Sequence, residues 1–365
     1  MGEKNIFRIA VIPGDGIGEE VIQAGLRVLD YFAKESNGEY SFENDFFPWG
    51  CEYYLKHGKM MDEDGVEKLR DYDAIYFGAV GFPGVPDHIS LWGLRIAICQ
   101  GLDQWANIRP VDFLPGVPRR LNHPDVDNLN WVLVRENSEG EYSGIGGRNF
   151  SGRGDGKEVA VQSSLFTEQG CERIIRFAFE LARTRKRKKV TSVTKSNAQQ
   201  YGMVLWDEVF DRVSKDYPDV ETDQWLVDAM AAQFVLHPEE LEVVVASNLF
   251  ADILSDLGSA LAGSLGIAAS ANLNPERRTP SMFESVHGSA PDITGKGIAN
   301  PIGTIGSAAL MLDHFGLKDE AKRLNLAIED TTRKGILTRD LGGTYDTEEI
   351  TNAIIENLSN VKTEA

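Results

Sequence analysis

The strongest constraint on the fold of this chain is an alternation: a short apolar run, a turn, then a stretch with helical spacing of apolar residues, repeated along its length. Residues 7–12 form an apolar run rich in β-branched side chains, stopped by Pro13-Gly14-Asp15-Gly16-Ile17-Gly18 and followed by helical periodicity over residues 19–33. Residues 73–78 and 131–134 read as further strands on either side of a helix over 89–105. Residues 173–186 read as a helix, 189–194 as a strand, and 241–246 as a buried strand feeding a helix over 249–265; helical segments follow from residue 298. Strands joined through helices cannot close as hairpins, so the pattern predicts a largely parallel sheet covered by helices, an α/β fold. With 365 residues the chain is long enough for about two domains.

Charge and cysteine usage exclude several classes of function. Lysine and arginine number 37 against 56 aspartates and glutamates, a net charge of −19, whereas nucleic-acid backbones reward clustered positive charge. The basic run at residues 183–189 is then a solvated helix end. No apolar run approaches the roughly 18 residues of a membrane span, and Met1 to Lys4 leads straight into a strand-like segment rather than a signal sequence. Cys51, Cys99 and Cys171 are widely spaced and odd in number, which suits a reducing compartment, and a cytoplasmic location is expected. Residues 142–156 are crowded with glycine. They read as a flexible surface loop or as an arm, in which Val159, Val161 and Leu165 between Glu158 and Thr167 would pair as β-strands with another subunit.

Three groups of residues could carry chemistry. Asp252 and Asp256 are four apart in a helical stretch, so both carboxylates lie on one face, with Ile253, Leu254 and Leu257 suggesting a partly buried setting. Such a pair suits Mg²⁺ or Mn²⁺, which prefer oxygen ligands, and equally fits a wet helix face. The segments Ser285-Val286-His287-Gly288-Ser289-Ala290-Pro291-Asp292 and Gly295-Lys296-Gly297-Ile298-Ala299-Asn300 could bring backbone amides to a diphosphate and a carboxylate to a ribose; alone they are a turn-rich loop. Gly14-Asp15-Gly16-Ile17-Gly18 lacks the spacing of the G-x-G-x-x-G fingerprint, so an ordinary Rossmann assignment fails. Arg95, Arg109 and Arg135 offer planar forks of donors for carboxylates.

Taken in order, Ile12-Pro13-Gly14-Asp15-Gly16-Ile17-Gly18, Asn107-Ile108-Arg109-Pro110, Val134-Arg135-Glu136-Asn137 with Tyr142, Thr194-Lys195-Ser196-Asn197, Ser247-Asn248-Leu249-Phe250-Ala251-Asp252 with Asp256, and His287-Gly288-Ser289-Ala290-Pro291-Asp292 resemble the metal-dependent β-decarboxylating dehydrogenases, the isocitrate and isopropylmalate dehydrogenase family. Cys51-Glu52-Tyr53-Tyr54, Val85-Pro86-Asp87-His88-Ile89-Ser90-Leu91-Trp92-Gly93 and Ala271-Asn272-Leu273-Asn274-Pro275-Glu276-Arg277 look like its tartrate and D-malate dehydrogenase branch. The resemblance implies an isopropylmalate dehydrogenase-like fold with two α/β domains. The first is discontinuous, residues 1–104 plus 265–365, and binds the nucleotide. The second, 105–264, carries dimerisation, metal and substrate residues and the arm near 142–167. It also implies a homodimer or dimer of dimers, with active sites between domains and completed across the dimer: Lys195, Asn197 and Asp228 come from the neighbour, and Asp228 joins Asp252 and Asp256 as metal ligands. Asp292 would accept the adenosine ribose hydroxyls, which favours NAD over NADP. Asn300 would sit at the adenine, with His287, Gly288, Ser289 and Ala290 around the nucleotide.

The implied reaction is oxidation of D-malate or tartrate at C2 by hydride transfer to NAD, followed by loss of the β-carboxylate. The metal supplies Lewis-acid polarisation of the C2 oxygen. Lys195, with a depressed pKa, helps remove the hydroxyl proton; Tyr142 protonates C3 of the enol; Arg109 and Arg135 hold carboxylates. K⁺ activation is expected from the same resemblance. One position departs: family members usually carry an arginine ten residues before the arginine of the Asn-x-Arg-Pro motif, and Cys99 stands here. Either Arg95, four residues earlier and on the same helix face, replaces that guanidinium, or the β-carboxylate is bound differently. The alternatives are an alkylmalate dehydrogenase such as one for 3-isopropylmalate, and a non-catalytic regulatory subunit, which the presence of Tyr142, Lys195, Asp228, Asp252 and Asp256 disfavours.

Overall fold

The computed structural model describes residues 5–360, save the side chain of Asp127; Met1 to Lys4, the lead-in noted above, and residues 361–365 lie outside them. The strands are β1 (Asn5–Gly14), β2 (Tyr40–Phe46), β3 (Ala74–Ala79), β4 (Ala106–Asp112), β5 (Asn130–Glu136), β6 (Gly146–Asn149), β7 (Val159–Gln162), β8 (Lys189–Thr194), β9 (Glu221–Leu226), β10 (Val243–Ala246), β11 (Ala269–Leu273) and β12 (Ser281–Ser285). The chain divides into two compact units. Among the described residues, one contains 5–104, 108–129 and 258–360; the other contains 105–107 and 130–257.

The first unit is built on β2-β1-β3-β12-β11, in which β1, β2, β3 and β12 run parallel and β11 pairs antiparallel with β12. Ile9 to Ile12 and all of β3 are buried, as expected of parallel strands covered on both faces. The helix Gly18–Glu35 packs Ile22, Leu26 and Leu29 into one core with Ile9, Val11, Tyr76 and Phe283 of this sheet. Each such side chain contributes roughly 1.5–3 kcal/mol on burial. Tyr76 of β3 donates to the Thr304 carbonyl at 2.7 Å and ties the sheet to the helix Ile302–His314. The C-terminal helical segments expected from residue 298 are Ile302–His314, Lys318–Arg333 and Thr347–Asn360.

The single helix expected over 89–105 is instead three segments: Asp87–Ser90, a π-helical stretch Leu91–Ile96, and Ala97–Gly101. The extra residue per turn breaks simple four-residue stacking of Arg95 on Cys99, and single π-turns of this kind concentrate at functional sites.

In the second unit the order is β5-β10-β8-β9, all parallel. Trp131, Phe179, Trp206 and Phe234 fill its core. The helix expected over 173–186 is Glu168–Arg183; it starts earlier because the Thr167 hydroxyl accepts from the Gly170 amide at 2.9 Å, an N-cap worth about 1 kcal/mol. The helix Asn248–Ala262 follows β10 as anticipated.

The glycine-rich stretch forms a β-hairpin with the strand that follows it. β6 pairs antiparallel with β7, Gly146 opposite Gln162 and Asn149 opposite Val159, and Gly140 and Leu165 exchange backbone hydrogen bonds at its base. The strand at 159–162 therefore pairs first with its own chain, because residues 146–149 supply the complementary edge. All eight strand residues are exposed, and Ile145, Phe150, Val159, Val161 and Leu165 leave apolar surface uncovered.

Candidate active site

In the first unit, Gly14 and Gly16 adopt positive φ (72° and 61°) and the loop they form docks on the residues after β12. The Ile17 amide donates to the Ser289 carbonyl at 2.9 Å, and a Cβ on Gly16 would lie 2.1 Å from that oxygen. The buried Asp15 carboxylate accepts from the amides of Cys51 (2.7 Å) and Gly81 (2.9 Å). The glycines thus serve a backbone-on-backbone approach that shapes the 286–292 segment. Gly16→Ala is expected to cost about 1–3 kcal/mol through strain and displacement of Ser289, read as a lowered Tm.

That segment fits a nucleotide by its unsatisfied chemistry. The His287 Nδ1 faces the Gly288 carbonyl at 2.9 Å, and Nε2 is buried without a partner among the described residues. Burial pulls the imidazole below its ordinary value, so the ring is neutral near pH 7 and, with Nδ1 donating, Nε2 is an acceptor lacking a donor. The hydroxyl and amino groups of a nucleotide are donors of the kind this nitrogen lacks. Ala290 has a positive φ of 41°, Gly288 is open to solvent, and Asp292 is exposed. The Asn300 side chain donates its amide to Asp340 at 3.0 Å and accepts from the Ile302 amide at 3.0 Å, linking the start of the helix Ile302–His314 to the Arg339–Leu341 turn.

Arg95 is also committed. Nε and Nη2 both reach the Glu284 carboxylate (2.9 and 2.6 Å to Oε1), and Nη2 lies 3.2 Å from Asn272 Oδ1. The pair is almost wholly buried, 12% and 6% exposed. Burial works to raise the Glu284 carboxyl, but Arg95, Asn272 and the charge of Arg109 outweigh it and hold it below the usual range. Arg109, on β4, is buried. Glu284 and Asn272 escaped the sequence reading; a carboxylate between Phe283 and Ser285 in a buried strand was the available signal.

The second unit holds two ionic centres. In one, Arg135 at the end of β5 places Nε and Nη2 on Asn248 Oδ1 (2.9 and 2.7 Å) and Nη1 on the Asp252 carboxylate; the Tyr142 hydroxyl is 3.4 Å from Asp252 Oδ2, and the Arg135 guanidinium lies 5.5 Å from the Tyr142 ring. Asn248, four residues before Asp252, was legible only as part of its motif. In the other, Lys195 Nζ meets Asp228 Oδ1 at 2.5 Å and holds that carboxyl below its usual value; Asn197 nearby in sequence is exposed.

The partly buried setting expected for Asp252 and Asp256 holds for Asp252 alone. Asp256 and Ile253 are exposed, since none of the described residues covers that face of the helix. Among the described residues of one chain, the acidic and imidazole groups close enough to share an ion are those of His237, Glu239 and Glu240; Asp228, Asp252 and Asp256 do not form such a cluster by themselves. A set of carboxylate oxygens, with Asp252 and Asp256 one turn apart, is nevertheless the donor chemistry that Mg²⁺ and Mn²⁺ prefer.

The family model for isocitrate/isopropylmalate dehydrogenase matches residues 8–354. A probable tartrate dehydrogenase/decarboxylase of Agrobacterium vitis is 57% identical over 97% of this chain and 96% of its own length. The tartrate dehydrogenase/decarboxylase of Pseudomonas putida is 52% identical, covering 97% and 98%. The D-malate dehydrogenase (decarboxylating) of Escherichia coli is 51% identical, covering 95% and 97%. Among solved structures, isocitrate dehydrogenase from Methylococcus capsulatus superposes with a TM-score of 0.86 at 34% identity, over 96% of this chain and 99% of that one. The two-unit α/β architecture, the ordered motifs and these full-length similarities agree: the chain belongs to the isocitrate/isopropylmalate dehydrogenase family, in the branch of the tartrate and D-malate dehydrogenases.

Proposed function

We propose that the protein is an NAD-dependent dehydrogenase that oxidises D-malate and tartrate at C2 and decarboxylates the resulting β-keto acid, with a divalent metal and K⁺ as activators. The observation that carries this reading is the Arg135–Asn248–Asp252–Tyr142 cluster: a buried guanidinium, a half-buried carboxylate and a phenol converge on one spot, the groups needed to hold a carboxylate, a hard cation and a proton for C3. When bound between Asp252, Asp256 and Asp228, Mg²⁺ or Mn²⁺ supplies Lewis-acid polarisation of the C2 oxygen.

The chain's own residues do the rest. Arg135 and Arg109 orient the substrate carboxylates through paired N–H donors. Lys195 takes the C2 hydroxyl proton, and its partner Asp228 keeps it positioned. Tyr142 delivers a proton to C3 after CO₂ leaves. His287 Nε2 and the exposed Asp292 receive hydroxyl or amino groups of NAD; a carboxylate at 292 repels the 2′-phosphate of NADP. For Arg95, saturation by Glu284 favours the second reading of the Cys99 departure. Arg95 neutralises Glu284, on which the charge of Arg109 also acts.

A homodimer, alone or paired into a dimer of dimers, completes each site. The uncovered apolar surface of the arm, of Val235 and Leu236 on the helix Val227–Leu236, and of Ile253 on the helix bearing Asp252 all lies in the second unit and fits a second copy of the chain. Val159→Asp with Val161→Asp is expected to shift the sedimentation profile toward monomer, with activity falling in parallel.

No described helix is long and apolar enough to cross a membrane, in keeping with a cytoplasmic enzyme. The test is NADH formation by the purified protein with Mn²⁺ and K⁺ on D-malate, the tartrate isomers and 3-isopropylmalate. Turnover of D-malate and a tartrate supports the reading, turnover of 3-isopropylmalate alone makes it an alkylmalate dehydrogenase, and silence on all with NAD still bound supports a non-catalytic role.

A further inference from the structure

A cleft of about 330 Å³ opens in the first unit away from the glycine loop. On its wall, Phe7 lies near the start of β1, Asp73 directly precedes β3 and Pro280 directly precedes β12. These strands run parallel, so the cleft sits at their amino ends, whereas residues 13–18 and 286–292 follow their carboxyl ends. The cleft is therefore distinct from the nucleotide segment.

Its charge is unusual for a chain of net charge −19. Arg70, Arg277 and Arg278 all face it. Arg70 is partly engaged, by Glu67 at 3.0 Å and the Gly101 carbonyl at 2.9 Å. The side chains of Arg277 and Arg278 have no hydrogen bond or ion pair to any described residue. The one carboxylate on the wall, Asp73, accepts from the Arg8 amide at 2.7 Å.

The turn that carries the two arginines is held rigidly. Arg277 has a φ of 55°, a left-handed conformation that non-glycine residues seldom adopt. Asn274 enforces it: its carbonyl accepts from the Arg277 amide (2.9 Å), its side-chain oxygen from the Arg278 amide (2.9 Å), and its Nδ2 donates to the Asp103 carbonyl (2.9 Å). Backbone strain kept at a position where glycine would relieve it is characteristic of binding sites. Beneath, burial and the Arg277 charge lower the His314 imidazole to about 4, so it is neutral near pH 7. The rings of Phe7 and Phe315, stacked 4.3 Å apart, make the adjoining wall apolar, which strengthens charge interactions at the cleft.

We propose that this cleft binds a small, multiply charged oxyanion, a polycarboxylate or a phosphate, gripped by the forks of Arg277 and Arg278 with Arg70 at its side. A chain that handles dicarboxylates and a dinucleotide would there sense an anion other than its substrate.

Calorimetric titration of the full-length protein with citrate, pyrophosphate and chloride at constant ionic strength and without metal tests it. At least one multivalent anion is expected to bind tenfold or more tightly than chloride, and R277Q/R278Q to weaken that binding at least tenfold. Arg277→Gly, which keeps the left-handed turn without strain, should weaken binding with Tm unchanged or raised, separating loss of the guanidinium from misfolding. The tighter of citrate and pyrophosphate assigns the ligand as carboxylate or phosphate. Equal affinities in wild type and R277Q/R278Q, or no preference over chloride, would overturn the proposal.

Discussion

Replacing Lys195 by methionine is expected to lower kcat for D-malate oxidation by about 10²–10⁴-fold, the usual range for loss of a general base, while the KM for D-malate moves far less. The expectation rests on the 2.5 Å contact between Lys195 and Asp228. Removing the amine also leaves Asp228 without the partner that holds its carboxyl low. Its affinity for a divalent cation should then persist, since methionine takes away a competing positive charge. Steady-state kinetics beside Mn²⁺ titration checks both. A variant that keeps wild-type kcat would remove Lys195 from the proton path.

The second large effect concerns Arg95. Arg95→Met leaves the carboxylate of Glu284 buried with its principal cation gone, and breaking a buried pair from one side costs about 3–5 kcal/mol, read by denaturant unfolding. Because Arg95 helps hold the Glu284 carboxyl below its usual value, the pair's contribution is complete above the ordinary glutamate pKa and fades only as pH falls below it. In Arg95→Met burial is opposed by fewer partners and the Glu284 carboxyl rises, so its charge costs most at neutral pH and the stability gap to the wild type should narrow as acid protonates it. Glu284 in the variant also draws on Arg109, whose charge already acts on it, and KM for D-malate should rise. The double variant R95M/E284M removes both charges and is expected to recover most of the stability and the KM. A KM defect that persists in the double variant would mean that Arg95 holds substrate directly.

Much of this was legible in sequence, and for stateable reasons. β1, β3, β5 and β10 were readable because strands buried on both faces carry near-continuous apolar runs, β8 because Val190, Thr191, Val193 and Thr194 are β-branched, and their helices because apolar residues recur at helical spacing. β2, β9 and the first arm strand, β6, were not. Tyr40–Phe46 and Glu221–Leu226 stand at sheet edges with mixed polar content, and Gly146–Asn149 is half glycine, so neither pattern nor propensity marks them. At the site, the motifs named Arg135, Tyr142, Asp252, Lys195 and Asp228, but a motif does not state which side chains saturate one another. That Arg95 would face Glu284, and that Asn300 would fasten a helix start through Asp340, depends on partners 189 and 40 residues away.

In the proposed dimer the Asp252 centre of one chain and the Lys195–Asp228 pair of another make one active site. Co-refolding inactive Asp252→Asn and Lys195→Met subunits tests it directly. In a mixed dimer one site inherits both defects and the other inherits neither, so an equal mixture should regain about a quarter of wild-type NADH formation. If each site were built within a single chain, every site would carry one defect, and the mixture would remain as inactive as its parents.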